Sequence, residues 1–310
     1  MADKPSRALV LYGDGLARYV DSSHTHIRSL ASLASCGFLS LPTAPPSESQ
    51  SERIVREFSY LLDAAEAYAV TSGGNATGHE NKVPILAERF MGLKAALVTD
   101  SSTLKGFGKL LGLDVFQLSE ICKKSHSSSA DAAVSELLKL LGFEEGKPLD
   151  ANPFDLVFVH MGVSENQDDG NASKIETLDS LVGAIISMAQ HGSEIGSHLH
   201  LSLALSYGSV SEKDDPIFSV KSPREEISPE FAGLVPRQSY TMQGEIMRGD
   251  VRHYCPMLLA QWQYAVTRKD LVDTFSFEAF KKLGGNLVIP ADRFIHEVAF
   301  KLWKAPKYGA

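Results

Sequence analysis

Apolar residues run unbroken over positions 8–12 and stop at Gly13-Asp14-Gly15. A short run without alternation is the pattern of a strand covered on both faces, as in a parallel sheet. Positions 26–35 then carry Ile27, Leu30, Ala31 and Ala34 at helical spacing, with Gly37 placed as a C-cap before the apolar stretch 38–41. The segment 43–51, dense in Pro, Ser and Glu, reads as a loop, and 52–67 as one helix through Ile54, Phe58, Leu61 and Leu62. The same alternation continues with a strand over 94–99, a helix over 103–111, a strand over 114–116, a Ser-rich loop over 125–129 and a helix over 131–141 closed by Gly142.

Positions 154–160 form the most strand-like run of the chain; a polar stretch, 164–171, separates it from a long helix over 174–189. A further strand is expected over 200–205, a polar proline-bearing excursion over 216–236, a last strand over 257–261, and two closing helices over 269–283 and 290–304. Strands that alternate with helices predict an α/β fold, a mainly parallel sheet covered by helices on both faces. No internal repeat or composition break divides the chain, so 1–310 reads as a single domain.

Composition narrows the function classes. A chain of 310 residues with 44% hydrophobic and 22% charged residues can bury a sizeable core. Its formal net charge of −8 argues against nucleic acid or an anionic membrane as partner, since both select clustered Lys and Arg. The run 8–12 is too short for a signal-peptide core or a membrane span. Cys36, Cys122 and Cys255 are far apart and suggest neither a disulfide framework nor a metal clip, which fits a reducing, cytoplasmic setting. Sequons at Asn75 and Asn171 are chance-level patterns without secretion.

In open parallel sheets ligands bind beyond the carboxyl ends of the strands, which ranks Asp14 first among polar candidates. Between two glycines it can reach a ligand without bulky neighbours, although Asp-Gly is equally a routine turn. His24 and His26 read as a solvated helix start. His198 and His200, if both on a strand, would face one side, where a metal pair is conceivable but a satisfied sheet face is the better reading.

Four stretches carry a family resemblance: the opening from Leu9 through Asp14 with its following helix; Gly92 to Asp114; Asp155 through His160 to Asp179; and Pro256-Met257-Leu258-Leu259 followed by 277–289. Together they resemble the alkaline-phosphatase superfamily, closest to its cofactor-independent, archaeal-type phosphoglycerate mutase branch. The resemblance implies an alkaline-phosphatase-like fold in which carboxylates and histidines hold two divalent metals, and a Ser or Thr accepts the phosphoryl group between them. Asp14 matches the first metal ligand. Asp168 and Asp169 are the aspartates available in the loop after the 154–160 strand, where the family also has a His that is missing here, and adjacent acids before a helix equally suit a solvated loop. His253 can match the last histidine, or serve as an ordinary loop residue. In Gly74-Asn75-Ala76-Thr77-Gly78-His79 alanine stands where the nucleophilic serine belongs, leaving Thr77 as nucleophile only through a register shift. Where the family places an Asp-His pair after the 200–205 strand, this chain has Ser206-Tyr207.

The mutase branch also carries an inserted domain, and the stretch available for it, 43–72, is shorter than the roughly 50 residues a domain needs. The expectation is a catalytically degenerate relative with a binding or regulatory role, its partner a phosphorylated small molecule or a protein. The alternative is an active metal-dependent phosphohydrolase or phosphomutase with Mn, Zn or Mg at a site rebuilt from Asp14, Thr77, Asp168, Asp169 and His253. A third class, an assembly module, would use the 216–236 excursion for docking.

Overall fold

The structure, a computed structural model, describes residues 5–41, 48–71, 84–124, 130–163, 168–208, 242–243, 246–247, 257–264, 266, 268–284 and 288–305. In chain order its elements are β1 (Arg7–Asp14), α1 (Thr25–Leu33), β2 (Ser35–Ser40), α2 (Gln50–Leu61), α3 (Ala65–Thr71), α4 (Leu86–Arg89), β3 (Ala95–Val98), α5 (Ser102–Leu110), β4 (Asp114–Phe116), α6 (Leu118–Lys124) and α7 (Ala130–Leu140). A small antiparallel ribbon, β5 (Phe143–Glu144) and β6 (Lys147–Pro148), leads to β7 (Leu156–Gly162), α8 (Asp168–Met188), α9 (Glu194–His198) and β8 (Leu199–Leu205). A second ribbon, β9 (Met242–Gln243) and β10 (Ile246–Met247), precedes β11 (Met257–Gln263), α10 (Phe277–Leu283), β12 (Val288–Pro290) and α11 (Phe294–Lys301).

Eight strands form one sheet in the order β12-β2-β11-β8-β1-β7-β3-β4. All neighbours run parallel except β11, which is antiparallel to both β2 and β8. β1 lies at the centre and is buried along its whole length, as its unbroken apolar run predicts. Alternation sends Leu9 and Leu11 into one core with α1, α7, α8 and α10. Ala8, Val10 and Tyr12 enter the other with α2, α5 and α11. Covering both faces removes the side chains of the central strands from water, at about 1.5–3 kcal/mol for each large apolar side chain.

The mainly parallel, doubly covered sheet is therefore as expected, but several boundaries are corrected. Gly37 does not cap α1; the helix ends at Leu33 with Ala34 as its cap, and β2 begins at once, with Gly37 paired to Leu259 inside the strand. The ladder to β11 captures residues that helical spacing alone would leave to the cap. The single helix expected over 52–67 is two, broken at Asp63, whose φ of 49° is left-handed. Arg89 holds the break by donating to the Leu62 carbonyl and, at 2.5 Å, to the Asp63 carboxylate. The strand 257–263 is not the last, because β12 follows it beside β2. α8 starts at Asp168, well before position 174, so Asp168 and Asp169 open the helix instead of preceding it. His198 ends α9 and bonds Ser6, while His200 lies in β8 and bonds Ser202, so the two do not share a strand face. The loops expected at 125–129 and 216–236 lie outside the described residues.

Candidate functional site

Asp14 closes β1 at the carboxyl edge of the sheet, in register with Gly162 of β7. On the other side Ser206, just past β8, grips the turn: its amide donates to the Gly13 carbonyl at 3.0 Å and its hydroxyl accepts from the Gly15 amide at 3.0 Å. The same hydroxyl donates to Asp14 Oδ1 at 3.3 Å. Gly15 turns the chain away with φ of 70°, and a Cβ there would lie 2.8 Å from a Val163 methyl, so glycine is required. Asp14 is left fully buried, 0% exposed.

A buried carboxylate needs a counter-charge, and α2 supplies it. The helix starts with a capping box in which Ser49 and Glu52 satisfy each other's backbone amides. Ile54, Phe58 and Leu61 then bury its apolar stripe. That packing turns the neighbouring positions Arg53 and Glu57 over the edge of the sheet, where both are nearly inaccessible, at 4% and 2% exposed. Arg53 Nη1 donates to Asp14 Oδ1 at 2.6 Å and Nη2 to Oδ2 at 3.2 Å, a two-pronged pair. Nη1 also reaches Glu57 Oε2 at 3.1 Å, one helical turn along. Tyr12, on the same face of β1 as Asp14, donates its hydroxyl to that Glu57 oxygen at 3.0 Å.

Burial works against the Arg53 charge, but Glu57 and Asp14 more than offset it and hold its pKa above the ordinary arginine value. Burial raises the Glu57 carboxyl; Arg53 opposes that rise and Asp14 adds to it. Tyr12 is pushed well up, first by burial and then by Glu57 and Asp14. The result is a buried row, Asp14, Arg53, Glu57, Tyr12, joined by hydrogen bonds through both terminal nitrogens of Arg53, while its Nε is buried with no hydrogen-bond partner.

His160 lies beside this row on β7, its ring 5.5 Å from that of Tyr12. Nδ1 shares a 2.9 Å hydrogen bond with Thr99, just past β3, and Thr99 in turn accepts from the Ser101 amide. His160 is 4% exposed, and its Nε2 is buried with no hydrogen-bond partner. A Cβ on Gly162 would lie 3.1 Å from that nitrogen and 3.2 Å from Asp14 Oδ2, so the bare glycine separates imidazole from carboxylate. Burial lowers the His160 pKa to about 4; Asp14 opposes this, and Lys174 and Arg53 add to it. Lys174 of α8 donates to the Gly162 carbonyl at 2.6 Å. Burial lowers its pKa against the pull of Asp14.

The family resemblance makes Asp14 a metal ligand, and the site can be tested for that fit. Both Asp14 oxygens already accept from a guanidinium, whose positive charge would repel a divalent ion in the same place. Among the described residues no three His, Cys, Asp or Glu side chains gather closely enough to hold a metal. The described residues therefore do not fit a pair of divalent metals at Asp14. Thr77 and His253 lie outside the described residues, and of Asp168 and Asp169 only the backbone position, the first turn of α8, is described. Arg53, Glu57, Thr99 and His160 were not singled out from the sequence. Charged residues on a helix ordinarily mark its solvated face, and the only available signal was Arg53 and Glu57 at i,i+4 beside the Ile54, Phe58, Leu61 stripe.

No family model matches the sequence, and no curated protein does. Solved structures of similar fold include a protein of Pyrococcus horikoshii at 14% identity and a TM-score of 0.54, with all of both chains covered. Another is a cofactor-independent phosphoglycerate mutase from Thermoplasma acidophilum, at 11% identity and a TM-score of 0.48, covering 96% of this chain and 100% of the other. An alkaline phosphatase from the Antarctic bacterium TAB5 follows at 8% identity and a TM-score of 0.42, covering 99% of this chain and 100% of the other. These are likenesses of fold. No helix among the described residues is long and apolar enough to cross a membrane.

Proposed function

We propose that this protein keeps an alkaline-phosphatase-like fold without two-metal phosphoryl transfer, and works by binding: its ligand is a phosphorylated small molecule or a partner protein, and its role is regulatory. The observation that carries this reading is the Arg53 guanidinium laid across both oxygens of Asp14. Two-metal catalysis needs an open carboxylate to seat a cation that offsets developing phosphoryl charge. Here the carboxylate that the resemblance assigns to that task already has its cation, covalently attached to the chain. Ser206, in the segment where the family places an Asp-His pair, is spent on the Gly13–Gly15 turn and on Asp14 itself.

The test is the metal content of the purified wild-type protein after loading with Mn²⁺ or Zn²⁺ and desalting, with Asp14→Ala as control and phosphomonoester turnover measured in parallel. Wild type and control are expected to retain no stoichiometric metal and to show no metal-dependent turnover. Two bound ions that disappear in Asp14→Ala would overturn the reading. They would restore the active phosphohydrolase or phosphomutase, with Thr77 as its candidate nucleophile and Asp168, Asp169 and His253 as further ligands.

A further inference from the structure

Arg53 has a geometry that says more about its position than its charge does. Three of its contacts fan out from the planar head: Nη1 to Asp14 Oδ1, Nη2 to Asp14 Oδ2, and Nη1 to Glu57 Oε2. A guanidinium presents N–H groups in one plane and matches a carboxylate edge to edge, whereas a small divalent cation gathers oxygen ligands around a point at roughly 2.0–2.6 Å. The acceptors meet the two terminal nitrogens of that fork, while Nε is buried without a partner. Tyr12 also donates to Glu57 Oε2, and Ser206 to Asp14 Oδ1, so the acceptors are held in place and partly saturated before any ion arrives. Gly208, at φ of 75°, lies close to the guanidinium: a Cβ there would sit 3.9 Å from Nη2 and 4.0 Å from Cζ, in ordinary contact with both.

We infer that the Asp14–Glu57 cradle is a guanidinium-selective site, shaped for a planar fork-like cation and not for a spherical metal, and that Arg53 is its resident ligand. This rests on the reading above insofar as both place Arg53 in the metal's stead, but it makes a separate claim about shape. Shortening Arg53 leaves two carboxylates in a cavity of guanidinium outline, and a free small guanidinium then refills it.

The experiment is thermal melting of Arg53→Ala, alone and with millimolar methylguanidinium, methylammonium or Mn²⁺, beside wild type and Arg53→Ala/Asp14→Asn. The melting temperature of Arg53→Ala is expected to fall by on the order of 10 °C, because a buried carboxylate loses its partner. Methylguanidinium restores most of that loss, while methylammonium and Mn²⁺ do not; neither wild type nor the double variant responds. Restoration by Mn²⁺, or failure of methylguanidinium to restore, overturns the inference. Should Arg53→Ala not fold, Arg53→Lys decides the matter: it keeps the charge but loses the fork, and is expected to melt several degrees below wild type. A lysine variant that melts with wild type overturns the claim of shape. Metal-dependent turnover that persists in Asp14→Ala would sink the functional reading alone, whereas these melts test the cradle alone.

Discussion

The Arg53 guanidinium contacts both oxygens of the Asp14 carboxylate, at 2.6 and 3.2 Å, although the two residues belong to different elements and neither is more than 4% exposed. A buried ion pair adds little net stability compared with a well-packed apolar pair, because both ions give up their hydration. What it does impose is mutual dependence. Neither partner can be removed without stranding the other, and α2 is thereby fixed over the carboxyl edge of β1, β7 and β8.

Arg53→Met is accordingly expected to destabilise the protein by about 3–5 kcal/mol. Asp14→Asn should also be costly, and Arg53→Met/Asp14→Asn should cost clearly less than the sum of the two. Urea unfolding of the four proteins gives the coupling energy. Simple additivity would mean that the two side chains do not depend on each other.

Gly15→Ala is expected to lose roughly 1–3 kcal/mol. A left-handed backbone with a Cβ costs about 1–2 kcal/mol, and the new methyl lies 2.8 Å from a Val163 methyl, so that side chain must also yield. A companion Gly15→Ala/Val163→Ala variant should recover the packing part and leave the backbone part. The checks are denaturant midpoints of the two variants, and equal midpoints would place the whole cost in the backbone.

Helix α1 has no side-chain cap of its own, since His24 makes no capping bond. Its Ile27 amide is satisfied from far along the chain by Asp179 Oδ1 of α8, at 2.8 Å. Asp179→Ala should therefore cost about 1–2 kcal/mol, the usual value of a lost cap, and speed amide exchange in the first turn of α1. Unchanged exchange at Ile27 would show that the bond does not hold the helix start.

The sheet was legible because burial on both faces writes itself as unbroken apolar runs: the expected strand 8–12 lies inside β1, and 114–116 coincides with β4. Boundaries failed where a distant partner decides them. Gly37 looks like a cap until β11 pairs with it, and the break at Asp63 depends on Arg89 reaching back to hold it. Asp14 was found from its place at the end of a strand. Its partner was not, because Arg53, Arg56 and Glu57 read as the wet face of an amphipathic helix. Arg53 and Glu57 are buried because they meet Asp14 and Tyr12 of β1, far away in sequence, a tertiary fact with no local pattern.

Two buried histidines should make stability depend on pH in a set direction. Burial lowers His160 to about 4, and it lowers His200 well below the ordinary value, with Lys301 adding to that second shift. An unfolded histidine titrates near 6.5. Between that value and about 4 the unfolded chain binds protons that native His160 refuses, so stability present above pH 6.5 is lost as pH falls through the window. For His160 the loss amounts to about 3 kcal/mol over the window. Glu57 works the other way, since its raised pKa means that the folded state holds a proton the unfolded chain has released. The informative quantity is thus a difference: from pH 6.5 to 4, wild type should lose more stability than His160→Gln or His200→Gln, each measured against its own value at pH 7. Parallel curves for wild type and both variants would show that these imidazoles charge as readily inside the fold as outside it. Steeper loss in wild type would show that burial at the sheet, and not the net charge of the chain, governs its response to acid.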